Sequence, residues 1–132
     1  MEWARYQGHW PGAVRSRFVQ SRPHRWHVQD YGDGHAPALL LLHGAGGATH
    51  SWRDLAPALA TRWRVVAPDL PGHGFTKLGA MQRSSPDLMA QDLAHLLERM
   101  HVAPFAVIGH SAGAALGLAL LQRLDTAPAA MV

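Results

Sequence analysis

Runs of apolar residues recur along the chain, each bounded by glycine, proline or polar turn residues. Residues 38–42 are apolar without alternation, which is the pattern of a strand buried on both faces of a parallel sheet. Two shorter runs near the N-terminus are separated by residues 21–24 and predict an antiparallel hairpin at a sheet edge. Residues 128–132 resemble the beginning of a further strand. The predicted strands cover residues 17–20, 25–29, 38–42, 64–67 and 105–109.

Helical patterns occupy the segments between the predicted strands. Ser51 has the position of a helix N-cap, with Asp54 three residues later, and predicts a helix that ends near Ala60. A second helix is predicted to begin at Ser85-Pro86, and a third to run from Ala112 to about Leu124. The second helix is amphipathic, with Met89, Leu93, Leu96, Leu97 and Met100 on one face and Gln91, Asp92, His95, Glu98 and Arg99 on the other.

This alternation of strands and helices predicts the α/β class, with a parallel sheet covered by helices on both faces. The composition agrees with a globular domain, because 48% of the 132 residues are apolar and five are tryptophan. The sequence has no run of 18 apolar residues and no basic-then-apolar leader, so we expect no transmembrane segment and no cleaved signal. We expect the protein to be cytoplasmic. The absence of cysteine excludes disulfides and thiolate metal sites.

Residues 1–15 show no periodicity, and we expect them to form an N-terminal arm that Trp3 and Trp10 hold against a domain of residues 16–132. The net charge of +3 comes from arginines in the first 25 residues. Such an arm could contact an acidic partner, a nucleic acid or a lipid surface. We prefer an ordinary solvated sheet edge and expect no nucleic-acid partner.

A serine between two glycines lies at the junction of the last predicted strand and the third helix. Residues 109–113 read G-x-S-x-G, and the glycines let the strand end and the first helical turn approach closely. The hydroxyl of Ser111 would then project from both elements, beside the unpaired amide of Ala112 at the helix N-terminus. This placement suits a nucleophile whose attack creates a negative oxygen, although the pentapeptide alone fits an incidental serine in a glycine turn equally well.

The glycine-rich loop after Leu42 is predicted to lie at the same sheet edge, because the carboxyl ends of parallel strands share one edge. Its glycines let the backbone approach Ser111 and bring a second amide, that of Ala45, towards the hydroxyl. Two such amides make an oxyanion hole, in which the loss of one donor lowers the rate by about 10²–10³. The loops that carry His43 and Asp69 share this edge.

The same loop has a second interpretation as a dinucleotide site. Residues 44–49 are close to G-x-G-x-x-G, and Asp69 lies at the end of the next strand. Thr49 replaces the third glycine, however, and the predicted helix begins only at Ser51, so a pyrophosphate would miss the helix N-terminus. We therefore predict no cofactor.

The ten histidines have neither H-E-x-x-H nor H-x-H spacing, so we predict no metal site. His110 is not expected to act as a base for Ser111, because the bend points adjacent side chains apart. His43 and His73 are expected to hold loops.

Three motifs, in this order along the chain, resemble the α/β-hydrolase fold. They are H-G-x-G at residues 43–46, P-D-x-P-G-H-G at 68–74 and G-H-S-x-G at 109–113. More narrowly, four segments resemble the magnesium-chelatase accessory family of bacteriochlorophyll synthesis. These segments are residues 25–29, 49–57, 74–76 and 109–115.

The resemblance implies a three-layer α/β-hydrolase fold, of which this chain is the N-terminal half, with a mostly parallel sheet and an N-terminal hairpin. It also implies that Ser111 is the nucleophile and that the amides of Ala45 and Ala112 form the oxyanion hole. Gly44 and His110 are assigned to the substrate-binding surface. The small-molecule substrate implied is ester-like or a tetrapyrrole.

In that fold an acid and then a histidine follow the serine along the chain. Only Asp125 and no histidine follow Ser111 here, and Asp125 is too near in sequence to be that acid. We therefore expect residues 16–132 to be a partial domain without the cap, acid and histidine segments, and the chain to be a truncated, inactive fragment of a serine hydrolase. The alternative is a non-catalytic accessory role in binding a tetrapyrrole or magnesium chelatase, so whether the chain is an enzyme stays open.

Overall fold

Six strands form one mixed sheet in the computed structural model, which describes residues 1–132. The strands are β1 Ser16–Ser21, β2 His24–Tyr31, β3 Ala38–Leu42, β4 Arg64–Pro68, β5 Pro104–Gly109 and β6 Ala130–Met131. Their order across the sheet is β1-β2-β4-β3-β5-β6. Strand β2 is antiparallel to both β1 and β4, whereas β3 is parallel to β4 and β5, and β5 to β6. The predicted α/β class, mostly parallel sheet and N-terminal hairpin are confirmed.

Helices cover both faces of this sheet, as the pattern of elements predicts. The α-helices are α1 Trp3–Tyr6, α2 Leu55–Leu59, α3 Pro86–Arg99 and α4 Ala112–Leu121, and 3-10 helices lie at Ala13–Arg15 and Thr49–Trp52. None of these helices has the length and apolar character needed to cross a bilayer. One sheet face packs against α3 and α4 through residues such as Leu40, Val66 and Val107, and the other packs against α2 through Leu41 and Val65.

Two helix boundaries differ from the sequence predictions. Ser51 is not a helix N-cap but lies inside the 3-10 helix, where its Oγ accepts the amide hydrogen of Ala48 at 3.4 Å, and α2 begins only at Leu55. Helix α4 ends at Leu121, three residues earlier than the pattern indicates. The start of α3 is as predicted, with the Oγ of Ser85 accepting the amide hydrogen of Leu88.

Residues 1–15 lie against the sheet through aromatic contacts. The rings of Trp3 and Trp10 both meet the ring of Phe75, at centroid distances of 4.9 and 4.7 Å. The Nε1–H of Trp10 donates to the Oγ1 of Thr49 at 2.9 Å. These contacts attach the N-terminal residues to the loops that follow β3 and β4.

Asp92 is buried, which contradicts its assignment to the polar face of α3. Its carboxylate accepts two hydrogen bonds from Arg83, at 2.9 and 2.8 Å, and one from the Nε2–H of His24 at 2.9 Å. Burial by itself raises the pKa of Asp92, but the hydrogen bonds from Arg83 and His24 together outweigh burial and lower it. Helical periodicity could not reveal this, because both partners come from other elements.

Removal of the Asp92 carboxylate should destabilise the fold, because it leaves a fully buried imidazole and a half-buried guanidinium without their acceptor. We expect Asp92→Ala to lower the free energy of unfolding by about 3 kcal/mol. Glu98→Ala, at an exposed position of the same helix, should change it by less than about 0.5 kcal/mol. Urea denaturation followed by circular dichroism measures both, and equal effects of the two substitutions would contradict a structural role for the network.

Candidate functional site

Ser111 lies in the two-residue turn between β5 and α4, and its backbone has φ 57° and ψ −116°. A positive φ is rare for a residue with a side chain and marks local strain that the surrounding structure must hold in place. The residue is exposed, and its hydroxyl caps no amide of α4. The predicted strand-to-helix turn with an exposed serine is therefore confirmed.

Glycines on either side of Ser111 permit this turn. A Cβ on Gly113 would overlap the carbonyl oxygens of Leu42 and His43, and one on Gly109 would lie 2.7 Å from the Cα of Ala114. Real side chains do not approach backbone atoms so closely. The first turn of α4 therefore sits directly on the end of β3, as the G-x-S-x-G interpretation requires.

The glycine-rich loop after β3 lies beside Ser111. A Cβ on Gly44 would be 2.9 Å from the Nδ1 of His110 and 3.3 Å from the Cβ of Ser111. The amide of His110 donates to the carbonyl of Leu42 at 3.0 Å, which joins the two loops. Gly44, His110 and Ser111, all assigned to the site from the sequence, thus come together at one edge of the sheet.

The amides of Ala45 and Ala112 have no hydrogen-bond acceptor within the chain. Both residues are exposed, so the two N–H groups are open to solvent or to a ligand. Free amides at a helix N-terminus and in a glycine-rich loop are groups that can receive a negative oxygen.

The carboxylate of Asp69 fixes the position of this loop. Its Oδ1 accepts the amide hydrogen of Thr49 at 2.7 Å, and its Oδ2 accepts the amide hydrogen of Phe75 at 2.8 Å and the Nδ1–H of His27 at 2.6 Å. A side chain on Gly74 would overlap the carboxylate. Because Asp69 is fully buried and both its oxygens are occupied, it is not available to a nucleotide ribose.

Sequence reasoning missed two members of this network, His27 and Thr76. The Oγ1 of Thr76 accepts the amide hydrogen of His27 at 3.0 Å and donates to the carbonyl of Asp69 at 2.6 Å. In the sequence His27 alternates with Trp26 and Val28, as a residue on the polar face of an edge strand does, so no local signal marked it as buried. The partner itself depends on strand order, which the pattern of residues did not specify.

Comparison with known proteins places this geometry in a family. Residues 37–132 match the family model of the alpha/beta hydrolase fold. The chain belongs to the α/β-hydrolase fold family.

Two relatives and one solved structure show which proteins this α/β-hydrolase chain is similar to. The magnesium-chelatase 30 kDa subunit of Rhodobacter capsulatus is 47% identical over 89% of the chain and 40% of its own length. Protein phosphatase methylesterase 1 of Bos taurus is 40% identical over 62% of the chain and 23% of its own length. The crystal structure of Cfl2 from Burkholderia cenocepacia superimposes with a TM-score of 0.81 at 29% identity, over 88% of the chain and 39% of that protein. The chain thus spans less than half the length of each of them.

His43 of this α/β-hydrolase chain connects the site loops as a neutral ring. Its Nδ1–H donates to the carbonyl of Gly44 at 2.7 Å, and its Nε2 accepts the amide hydrogen of Leu70 at 3.0 Å. Burial lowers the pKa of His43, and the nearby ring of His73 acts in the same direction. The expectation that His43 holds loops is confirmed.

No basic side chain of the chain is hydrogen-bonded to the hydroxyl of Ser111. His110 is directed towards Gly44, and His43 uses both ring nitrogens on backbone groups. No group of three or more histidine and carboxylate side chains lies close enough together to hold a metal ion. Ser111 therefore presents an exposed hydroxyl without a hydrogen-bonded base, and the amides of Ala45 and Ala112 are free.

The lowered pKa of His43 predicts a loss of stability in mildly acidic solution. As the pH falls from about 7.5 to about 5.5, the unfolded chain binds a proton at His43 near its ordinary pKa and the folded chain does not, so protonation favours unfolding. We expect the free energy of unfolding to fall across this window, and to fall less steeply in His43→Gln. His35→Gln, at an exposed position, should keep the wild-type slope. Denaturant titrations at several pH values measure these slopes, and a wild-type slope in His43→Gln would disprove the prediction.

Proposed function

We propose that this chain supplies the nucleophile and the oxyanion donors of an acyl hydrolase of the magnesium-chelatase accessory type. The observation that carries the proposal is the strained, exposed turn at Ser111, which is followed by the free amide of Ala112 and contacted by the loop that carries the free amide of Ala45. Relatives named as a methylesterase and a deacetylase also support acyl chemistry.

The proposed step is attack by the Oγ of Ser111 on the carbonyl carbon of a small ester-like substrate. A C–O bond forms, and the carbonyl electron pair moves to the oxygen, where the amides of Ala45 and Ala112 stabilise the charge. The tetrahedral intermediate then expels the alkoxide, which takes up the hydroxyl proton through solvent water, and the acyl-serine that remains is hydrolysed by a water molecule. Gly44 and His110 line the surface on which the substrate rests.

These residues offer no hydrogen-bonded base to remove the hydroxyl proton of Ser111. Without a hydrogen-bonded base, a serine hydroxyl is a weak nucleophile. When a catalytic triad is incomplete, oxyanion donors and substrate binding still accelerate the reaction about 10³–10⁴-fold over its rate in water. We therefore expect the chain by itself to react at Ser111 slowly, but faster than an ordinary surface serine.

A fluorophosphonate probe tests this proposal, because it phosphonylates nucleophilic serines in proportion to their reactivity. We expect the peptide that contains Ser111 to be labelled about 10³ times faster than the peptide that contains the exposed Ser84. Ser111→Ala should abolish labelling of its peptide, and Ser84→Ala should leave the labelling of Ser111 unchanged. Peptide mass spectrometry reads both sites, and equal rates at Ser84 and Ser111 would refute the proposed nucleophile.

A second proposed role, without catalysis, is the binding of magnesium chelatase or of a tetrapyrrole. The 47% identity to a magnesium-chelatase 30 kDa subunit favours it. In this role the hydroxyl of Ser111 is dispensable, so we expect Ser111→Ala to bind Rhodobacter capsulatus magnesium chelatase with the wild-type Kd in a surface-binding assay. Absence of binding by the wild-type chain would argue against the association, and a weakened Kd in folded Ser111→Ala would make the serine part of the contact.

A further inference from the structure

A second serine of the chain is hydrogen-bonded to an imidazole. The Oγ of Ser16, the first residue of β1, lies 2.7 Å from the Nε2 of His27 on β2. The Nδ1 of His27 lies in turn 2.6 Å from the Oδ2 of Asp69. Serine, histidine and aspartate are thus joined in line through the two ring nitrogens.

The surrounding hydrogen bonds determine where the protons lie. Asp69 already accepts the backbone hydrogens of Thr49 and Phe75, so its carboxylate accepts the Nδ1–H of His27. The Nε2 of His27 then carries a lone pair, which accepts the hydroxyl hydrogen of Ser16. The Nε2–H of Gln29 donates to the Oγ of Ser16 at 3.2 Å, which leaves that hydroxyl free to donate to His27.

Three aromatic rings enclose the imidazole and exclude water from it. The centroids of Trp3, Phe18 and Phe75 lie 5.0, 5.1 and 5.3 Å from the centroid of His27. His27 and Asp69 are fully buried, whereas Ser16 is only partly buried.

The Oγ of Ser16 is remote from Ser111, although Asp69 also fixes the loop that carries Ala45. Strand β1 lies four strands from β5, which corresponds to about 19 Å at the usual strand spacing. The order of its hydrogen bonds is that of an activated nucleophile, since a hydroxyl within reach of a base, with the base oriented by a third group, is the arrangement used in covalent catalysis.

We propose that Ser16, activated by His27 and Asp69, is a second nucleophilic site that accepts an acyl or phosphoryl group from small esters and their analogues. In the step, the Oγ of Ser16 forms a bond to the electrophilic carbon or phosphorus, and the bond to the leaving group breaks with its electron pair. The hydroxyl proton moves to the Nε2 of His27. Asp69 stabilises the resulting imidazolium, which later releases the proton to the leaving group or to water.

Diisopropyl fluorophosphate tests the proposal in a chain that carries Ser111→Ala, so that the first site is silent. We expect the peptide that contains Ser16 to be labelled about 10² times faster than that of Ser84, which is the contribution of a positioned base. His27→Gln should reduce the rate at Ser16 to that of Ser84. A rate at Ser16 no higher than at Ser84 in the folded chain would overturn the proposal, whatever the result at Ser111.

A second measurement keeps the proposal testable if His27→Gln does not fold. Because the chain has no cysteine, Ser16→Cys introduces a single thiol next to the intact imidazole. A thiol beside a histidine that can take its proton ionises well below the ordinary midpoint of about 8.5. We expect iodoacetamide to alkylate Ser16→Cys at nearly its full rate at about pH 7, and Ser84→Cys at only a few per cent of its full rate there. An ordinary midpoint for Ser16→Cys would show that His27 does not act as a base and would overturn the proposal.

Discussion

The buried carboxylate of Asp69 is the interaction on which the rest of the site depends. A carboxylate can be kept away from water only when its oxygens are hydrogen-bonded, and Asp69 satisfies both of its own with two backbone amides and one imidazole. Its partners belong to the hairpin, the loop after β3 and the loop after β4. One side chain thereby holds three separate segments in a single arrangement.

The strained turn at Ser111 is maintained by packing rather than by hydrogen bonds of its own side chain. Gly113 rests on the carbonyls of Leu42 and His43, and His110 donates its amide to the first of these. The conformation of Ser111 is therefore imposed by the end of β3. The loop after that same strand is tied to Asp69 through Thr49, so the hydroxyl and the free amides are positioned by one connected framework.

Local patterns were sufficient to predict the strands, the α/β class and the turn at Ser111. These features depend on residues close together in sequence, such as the unbroken apolar run at 38–42 and the glycines around the serine. What the sequence did not reveal depends on distant partners. Asp92 appeared to be a solvated helix residue because Arg83 and His24 are supplied by other segments, and His27 appeared unremarkable because its carboxylate lies two strands away along the chain.

The pairing of His24 with Asp92 has a kinetic consequence. The two residues are separated by 68 positions, with strands β3 and β4 between them, so their hydrogen bond can close only after β2 and α3 have docked. A contact of such long range costs loop-closure entropy before its hydrogen bond rewards it, which slows folding. The hydrogen bond between His24 and Asp92 thus makes the folding rate depend on bringing two distant segments of the chain together.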